Sequence, residues 1–409
     1  MSKGIRWSEL GALVGGELST RTADLARAGR DFGNETFRPP AAVLRPADAH
    51  DVAAAIRFGL GAGIPVVPRG SGHSVDGQAT APDGIVVDLT SLRDIRRSGE
   101  HRLTVGAGTR WGAVVSVSLA EGLIPPVVPD YLGLSVGGTV AVGGVGGTSH
   151  RRGLVSDNLV ELEVVTLEGT VRTCSPSESP SLFDAVRGTQ GRHGVITRVT
   201  LELDEAAHRV SACGEILPDL RTLLARQREL AVDSRYAHVE ARIGHAPEHD
   251  WSFTLSKARF LDATEVSGLS ADERIGLIAH ADHVDRNAPA VMRDQARGTW
   301  YEAPHPRRSV LLPYHSAEYV IGRVLESHRR SGLGEGGHGL LMVLPSEQIR
   351  TPALPRPDDE FTVLFGVQAT GTPGDGAGLA RMKRVNELLS RLARSMGGGL
   401  YAAGGSLNL

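Results

Sequence analysis

The stretch PRGSGHSVDGQ, residues 68–78, concentrates the residue types best suited to chemistry in this chain. An apolar run from Ile64 to Val67 leads into a turn where Gly70 and Gly72 bracket Ser71. Glycine gives the main chain conformations closed to other residues and lets it approach a bound group closely. Successive main-chain N–H groups in such a turn form a concave nest that suits a pyrophosphate. His73 follows the second glycine, a good place from which to present an imidazole nitrogen to that group. The bland alternative is a surface turn with a solvated histidine, since short glycine motifs are common.

Two further glycine clusters lie downstream. From Gly133 to Gly153 there are eight glycines in 21 residues, a density expected to sustain neither helix nor strand. Val136, Val140, Val142 and Val145 interrupt it, which separates it from a flexible linker. Close main-chain approach to a large flat or extended ligand explains it better. The other cluster is the turn GTQGRHG at 188–194. His150 and His193 lie beside these loops and read equally well as surface residues. No His, Asp and Glu set has metal-ligand spacing, so no metal site is expected. Cys174 and Cys213 are too few for a disulfide framework.

A chain of 409 residues exceeds one hydrophobic core, and at least two domains are expected. A net charge of −3 gives no case for nucleic acid or a membrane surface as partner. The start, MSKGIRWSELGALVGG, lacks a secretory apolar core, and no run approaches bilayer length, so a cytoplasmic protein is expected. Residues 1–37 read as helical. Strands are expected at 42–44, 64–67, 84–88 and from Leu103, with helices from PADAH onward and over Trp111 to Leu119. Further on, 159–167, 170–174 and 195–203 read as strands, the first two joined by a turn at Glu168-Gly169. A composition change near Asp204 marks a boundary. Beyond it a helix is expected over 217–230, alternating strands at 237–243 and 251–255, and strands near 310–312, 340–344 and 361–367. Val239, Ala241 and Ile243 share one face of their strand, His238, Glu240 and Arg242 the other. Helical stretches at 271–281, 316–329 and 377–396 complete an antiparallel sheet with helices on one side.

RGSGHS at 69–74, DYLGLSVGGTVAVGGVGG at 130–147 and GTQGRHGVIT at 188–197 together resemble the flavoproteins of the vanillyl-alcohol oxidase class. The likeness is greatest to cytokinin dehydrogenases and bacterial berberine-bridge-like oxidases. The resemblance implies an α+β fold, with a PCMH-type two-part α/β FAD-binding domain over 38–204 and a substrate domain over 205–409. It implies FAD joined covalently to His73, with Arg69, Gly70, Ser71, Gly72 and Ser74 around the pyrophosphate and Gln78 as a further contact. Ser135, Val145, Ile196 and Tyr401 match positions that touch the flavin, although Ile196 also reads as plain strand core. Asp130 matches the catalytic aspartate, which takes a proton while a hydride leaves a C–H next to nitrogen or oxygen. Glu240 matches an acid of the substrate cavity and could equally sit on a solvated sheet face.

Two features depart from that family. The chain stops at GLYAAGGSLNL, without the closing segment that carries an L-x-P-G-Q motif in its members. In HPRRSVLLP, Arg307 stands where cytokinin dehydrogenases place an aromatic residue, and it is expected to contact substrate. A FAD-dependent oxidase or dehydrogenase of a small organic molecule follows, with O2 or another acceptor, as in a tailoring step of secondary metabolism. Cytokinin dehydrogenase proper is the alternative within that class. A flavin- or ligand-binding protein without turnover is the alternative outside it.

Overall fold

Which strands the N-terminal helices can cross between decides how the first glycine turn is presented. The computed structural model describes residues 5–246, 249–296, 299–329 and 331–401. Strands Glu17–Ser19, Ala42–Arg45, Ile85–Asp88 and Val66–Arg69 form a four-stranded sheet in that spatial order. The last three are parallel, and a parallel pair needs a crossover, here supplied by helix Ala49–Ala62. Asp48 caps that helix by accepting from the N–H groups of His50 and Asp51. Its Val52, Ala53 and Ile56 pack with Leu44, Val66 and Ile85. Val66–Arg69 is the edge strand, and the glycine turn leaves its carboxyl end.

Five antiparallel strands follow, in the order Ile95–Gly99, Arg102–Gly106, Val195–Glu202, Leu159–Val165, Val171–Cys174. The glycine-rich stretch holds a helix after all: Val136–Val142 is helical, and Ser149–Arg152 adds one turn. Burial overrides propensity there. Val136 and Val140, one turn apart, are buried in the core with Leu103, Val105 and Trp111. The Trp111 indole donates to Thr139 Oγ1 at 2.9 Å, and Thr139 donates to the Ser135 carbonyl at 2.9 Å. Residues 143–148, with 133–135 and Gly153 at the ends, keep the irregular backbone expected of the whole stretch.

A further sheet has seven antiparallel strands, ordered Arg209–Leu217, His249–Leu261, His238–Ala246, His338–Pro345, Phe361–Gln368, Arg307–Pro313, Gly399–Tyr401. Side-chain alternation divides its faces. Val239, Ala241, Ile243, Leu341, Phe365 and Val310 pack with helices Leu220–Val232, Tyr314–His328 and Gly376–Ser395 on one side. The helix expected from 217 begins at Leu220, because Arg209–Leu217 is a strand and Asp219 caps the helix after it. The stretch 271–281 carries two short helices, Ala271–Arg274 and His280–Val284, rather than one. Leu311, Met342, Leu344 and Leu364 point to the other face and pack on Leu154 and Val145 of the N-terminal part. An α+β architecture of two domains results. No helix among the described residues is long and apolar enough to cross a membrane. The chain end GGSLNL lies outside the described residues, with Ala402 and Ala403 before it.

Candidate active site

The glycine turn is held from behind by its own side chains. Arg69 donates to the carbonyl of Arg30 at 2.7 Å and to that of Ala79 at 3.3 Å. Asp31 accepts from Ser74 Oγ at 2.9 Å and from the Gly77 N–H at 2.7 Å. Burial raises the Asp31 pKa against those bonds. Gln78 accepts the Asp76 N–H at 2.9 Å, closing the turn. Arg69, Ser74 and Gln78 thus shape the loop, and the main chain is left to face a ligand. The N–H groups of Gly72 and Ser74 have no acceptor among the described residues, although Gly72 is buried. Buried N–H groups without acceptors are costly, so this arrangement fits an anionic group such as a pyrophosphate.

Close approach explains Gly70. A Cβ there would lie 2.0 Å from Ser135 Oγ. Ser71 and Ser135 exchange bonds across the gap, each N–H donating to the other's hydroxyl at 3.3 Å. The first two glycine clusters are therefore in direct contact. Val145 and Tyr401 pack into one cluster with Leu154, Leu311 and Leu354, whereas Ile196 is buried in the core of the five-stranded sheet.

His73 sits in a stack that sequence reasoning missed. Its ring lies 4.0 Å from Phe32, whose other neighbour is His305 at 4.4 Å, and Tyr131 tilts over it at 4.9 Å. Phe32 N–H donates to the Gly72 carbonyl at 2.8 Å, and His305 N–H to that of Gly33 at 2.8 Å. Burial, then the charges of Arg307 and His305, push the His73 pKa down to about 3. At neutral pH its ring is uncharged.

Asp130 and Glu240, from the two sheet systems, meet through Arg286. That guanidinium lies 2.8 Å from Asp130 Oδ1 and 2.9 Å from Glu240 Oε2. Asp130 leaves 21% of its side chain open, while Glu240 leaves 3%. Burial and the neighbouring Glu240 charge raise the Asp130 pKa to about 6, against the pull of Arg286. Burial works on Glu240 in the same direction. The Arg286 charge and a hydrogen bond from Asp130 outweigh it and hold Glu240 below its ordinary value. The pair therefore shares one proton, which resides on Asp130 in the lower pH range. His238 lies beside it, its Nε2 3.8 Å from Glu240 Oε2, and burial drives its pKa down to about 3. Asn287 links Asp130 to Arg242, which donates to Asn287 Oδ1 at 3.1 Å. His238, Glu240 and Arg242 share one strand face, as their alternation indicates. Arg286 follows a short helix with no periodic signature, and no sequence signal marks it.

Arg307 lies on the sheet face turned toward the N-terminal part. Burial lowers its pKa, and its charge is felt by His73 and Tyr401. Arg308, pointing the other way, pairs with Asp76 at 3.3 Å. His150 is buried, its ring between the carbonyls of Gly147 and Tyr236, and serves as a structural tie. No group of three or more metal-binding side chains occurs among the described residues.

Comparison with known proteins places this geometry. Residues 40–175 match the FAD binding domain family. An uncharacterised oxidoreductase of the fasciation locus of Rhodococcoides fascians is 33% identical over 399 residues, covering 95% of this chain and 90% of that protein. Cytokinin dehydrogenase 10 of rice, Oryza sativa subsp. japonica, is 28% identical, covering 91% of this chain and 78% of its own. The crystal structure of 6-hydroxy-D-nicotine oxidase from Arthrobacter nicotinovorans superposes with a TM-score of 0.71 at 23% identity, over 97% of this chain and 89% of that one. With the family matched on the glycine turn and a relative matched over nearly the whole length, the chain belongs to the PCMH-type FAD-binding oxidoreductases and is an FAD-dependent enzyme.

Proposed function

We propose that the enzyme oxidises a small organic molecule at a C–H next to nitrogen or oxygen, with Asp130 taking the proton and His73 carrying the flavin covalently. The observation that supports this reading best is the carboxylate pair. Asp130, bridged by Arg286 to a deeply buried Glu240, has the pKa of a group that exchanges a proton near neutrality. FAD, when bound, supplies the acceptor for the hydride. The chain's own residues hold it and order the proton's path. Gly70, Ser71, Gly72 and Ser74 would surround the pyrophosphate, with the Gly72 and Ser74 N–H groups as donors and the loop held in shape by Arg69 and Gln78. Ser135, Val145 and Tyr401 would flank the ring system, with Ile196 supporting it from the core. The uncharged His73 ring is in the form that can bond to carbon.

In the substrate, an N–H or O–H adjacent to the breaking C–H points at Asp130. Deprotonated Asp130 accepts its proton, and Glu240 and Arg286 hold that carboxyl in place. Asp130→Asn should slow flavin reduction by about 10²–10⁴-fold with flavin content unchanged. The check is anaerobic stopped-flow reduction by a panel of amines and alcohols. Reduction at wild-type rate in that variant would remove Asp130 from the chemistry.

The cytokinin dehydrogenase relatives favour a second reading, oxidation of an adenine cytokinin. Arg307 opposes it, because a permanent charge facing the site suits a purine poorly. Isopentenyl adenine is therefore expected to reduce the flavin slowly. Fast reduction that depends on Asp130 would establish the second reading.

A further inference from the structure

The inner face of the seven-stranded sheet carries two guanidinium groups for which the described chain supplies no acid. Arg242 is bonded to the neutral Asn287, and no ion pair of it occurs among the described residues. The Arg307 guanidinium has neither hydrogen bond nor ion pair among them. The acids nearby are engaged elsewhere: Asp76 with Arg308, Asp31 with Ser74 and Gly77, Asp130 and Glu240 with Arg286. A partly buried cation with no counter-charge is unfavourable unless a ligand provides one.

The strand register shows what stands beside Arg307. It lies opposite Gln368, and Gln368 lies opposite His338, so the three form a row across neighbouring strands on one face. The His338 ring feels the charges of Arg242, Asp130 and Arg307, which places it within electrostatic reach of all three. The row therefore runs from the cation toward the carboxylate pair. It offers a planar fork of N–H donors from Arg307 and an amide from Gln368, and it ends at the His338 ring, whose Nδ1 donates to the Gly336 carbonyl at 3.1 Å.

We propose that the substrate bears a carboxylate group, received by Arg307 with Gln368 as a neutral donor beside it, while its oxidisable carbon lies toward Asp130. The inference rests on the flavin oxidoreductase reading of the same site. One free guanidinium fork matches the two oxygens of a carboxylate in a paired geometry. Arg242, tied to Asn287, stands further along and adds long-range attraction rather than contact. The carboxylate takes no part in the redox step: the carbon loses a hydride to FAD, and the neighbouring heteroatom loses its proton to Asp130.

The test uses two probes that are not oxidised, benzoate and its neutral isostere benzamide. Each is titrated into flavin-loaded enzyme, and binding is read by the change in flavin absorbance and, in parallel, by calorimetry. Benzoate is expected to bind about tenfold tighter than benzamide or better. Arg307→Met should bring the ratio close to one, and Arg307→Lys should retain part of it. Gln368→Leu, which removes no charge, should reduce the preference by a smaller factor. Equal affinity of the wild type for the two probes overturns the proposal, whatever the variants do. So does a preference that persists in Arg307→Met. Loss of flavin in Arg307→Met, with the preference intact in the remaining loaded fraction, would assign Arg307 to the cofactor and also overturn it. Failure of the oxidoreductase reading looks different: the purified wild type would lack flavin absorbance, while the calorimetric comparison would still report on the row.

Discussion

Asp130, Glu240 and Arg286 act as one titrating unit, so their pH behaviour belongs to the set. The base form of Asp130 exists above its pKa of about 6 and is lost as pH falls through it. The rate of flavin reduction should accordingly rise with pH to a plateau, with its limb near 6. Each neighbour moves that limb in a definite direction. Arg286 stabilises the Asp130 carboxylate, so Arg286→Leu should shift the limb upward. The Glu240 charge destabilises it, so Glu240→Gln should shift the limb downward. Stopped-flow reduction across pH with each variant measures both shifts, and opposite signs are the signature of the pair. If neither variant moves the limb, another group is titrating.

Among the elements, the glycine loops and the alternating strands are legible in the sequence because each rests on a local rule. RGSGHS announces an irregular close approach. HVEAR, alternating, already puts His238, Glu240 and Arg242 on one face. What the sequence does not disclose depends on contacts between segments far apart along the chain. Arg286 is 156 residues from the carboxylate it bridges to, and Phe32 reaches His73 and His305 from an N-terminal stretch that reads only as helical. The short helix Val136–Val142 forms against glycine's propensity because buried valines and the Trp111–Thr139 bond reward it. The loop after it then passes so close to the seven-stranded sheet that a Cβ on Gly147 would lie 2.0 Å from His238 Cε1. Gly147→Ala should therefore push His238 off Glu240 and cost about 1–3 kcal/mol. Thermal unfolding should show the loss, along with a changed pH limb. An unaltered melting temperature would mean that the loop and strand can part without penalty.

On the scale of the whole molecule, two sheet systems meet face to face at the proposed site, one with the glycine turn and Asp130, the other with Glu240 and Arg307. The second is kept in register by its helix-covered core. Phe365 is fully buried there at 0% exposure, among Ile243, Leu341 and Val310. Phe365→Ala should cost about 3–5 kcal/mol in denaturant unfolding, and activity should fall with the folded fraction rather than ahead of it. A loss of activity in fully folded protein would show that the sheet's shape, beyond its stability, governs the site.

The covalent attachment of FAD to His73 proposed here is tested by digesting the purified enzyme and weighing the peptide that contains His73. This peptide should carry the mass of FAD, and in His73→Ala the flavin should separate from the protein on acid precipitation. An unmodified His73 peptide from yellow wild-type enzyme would contradict it.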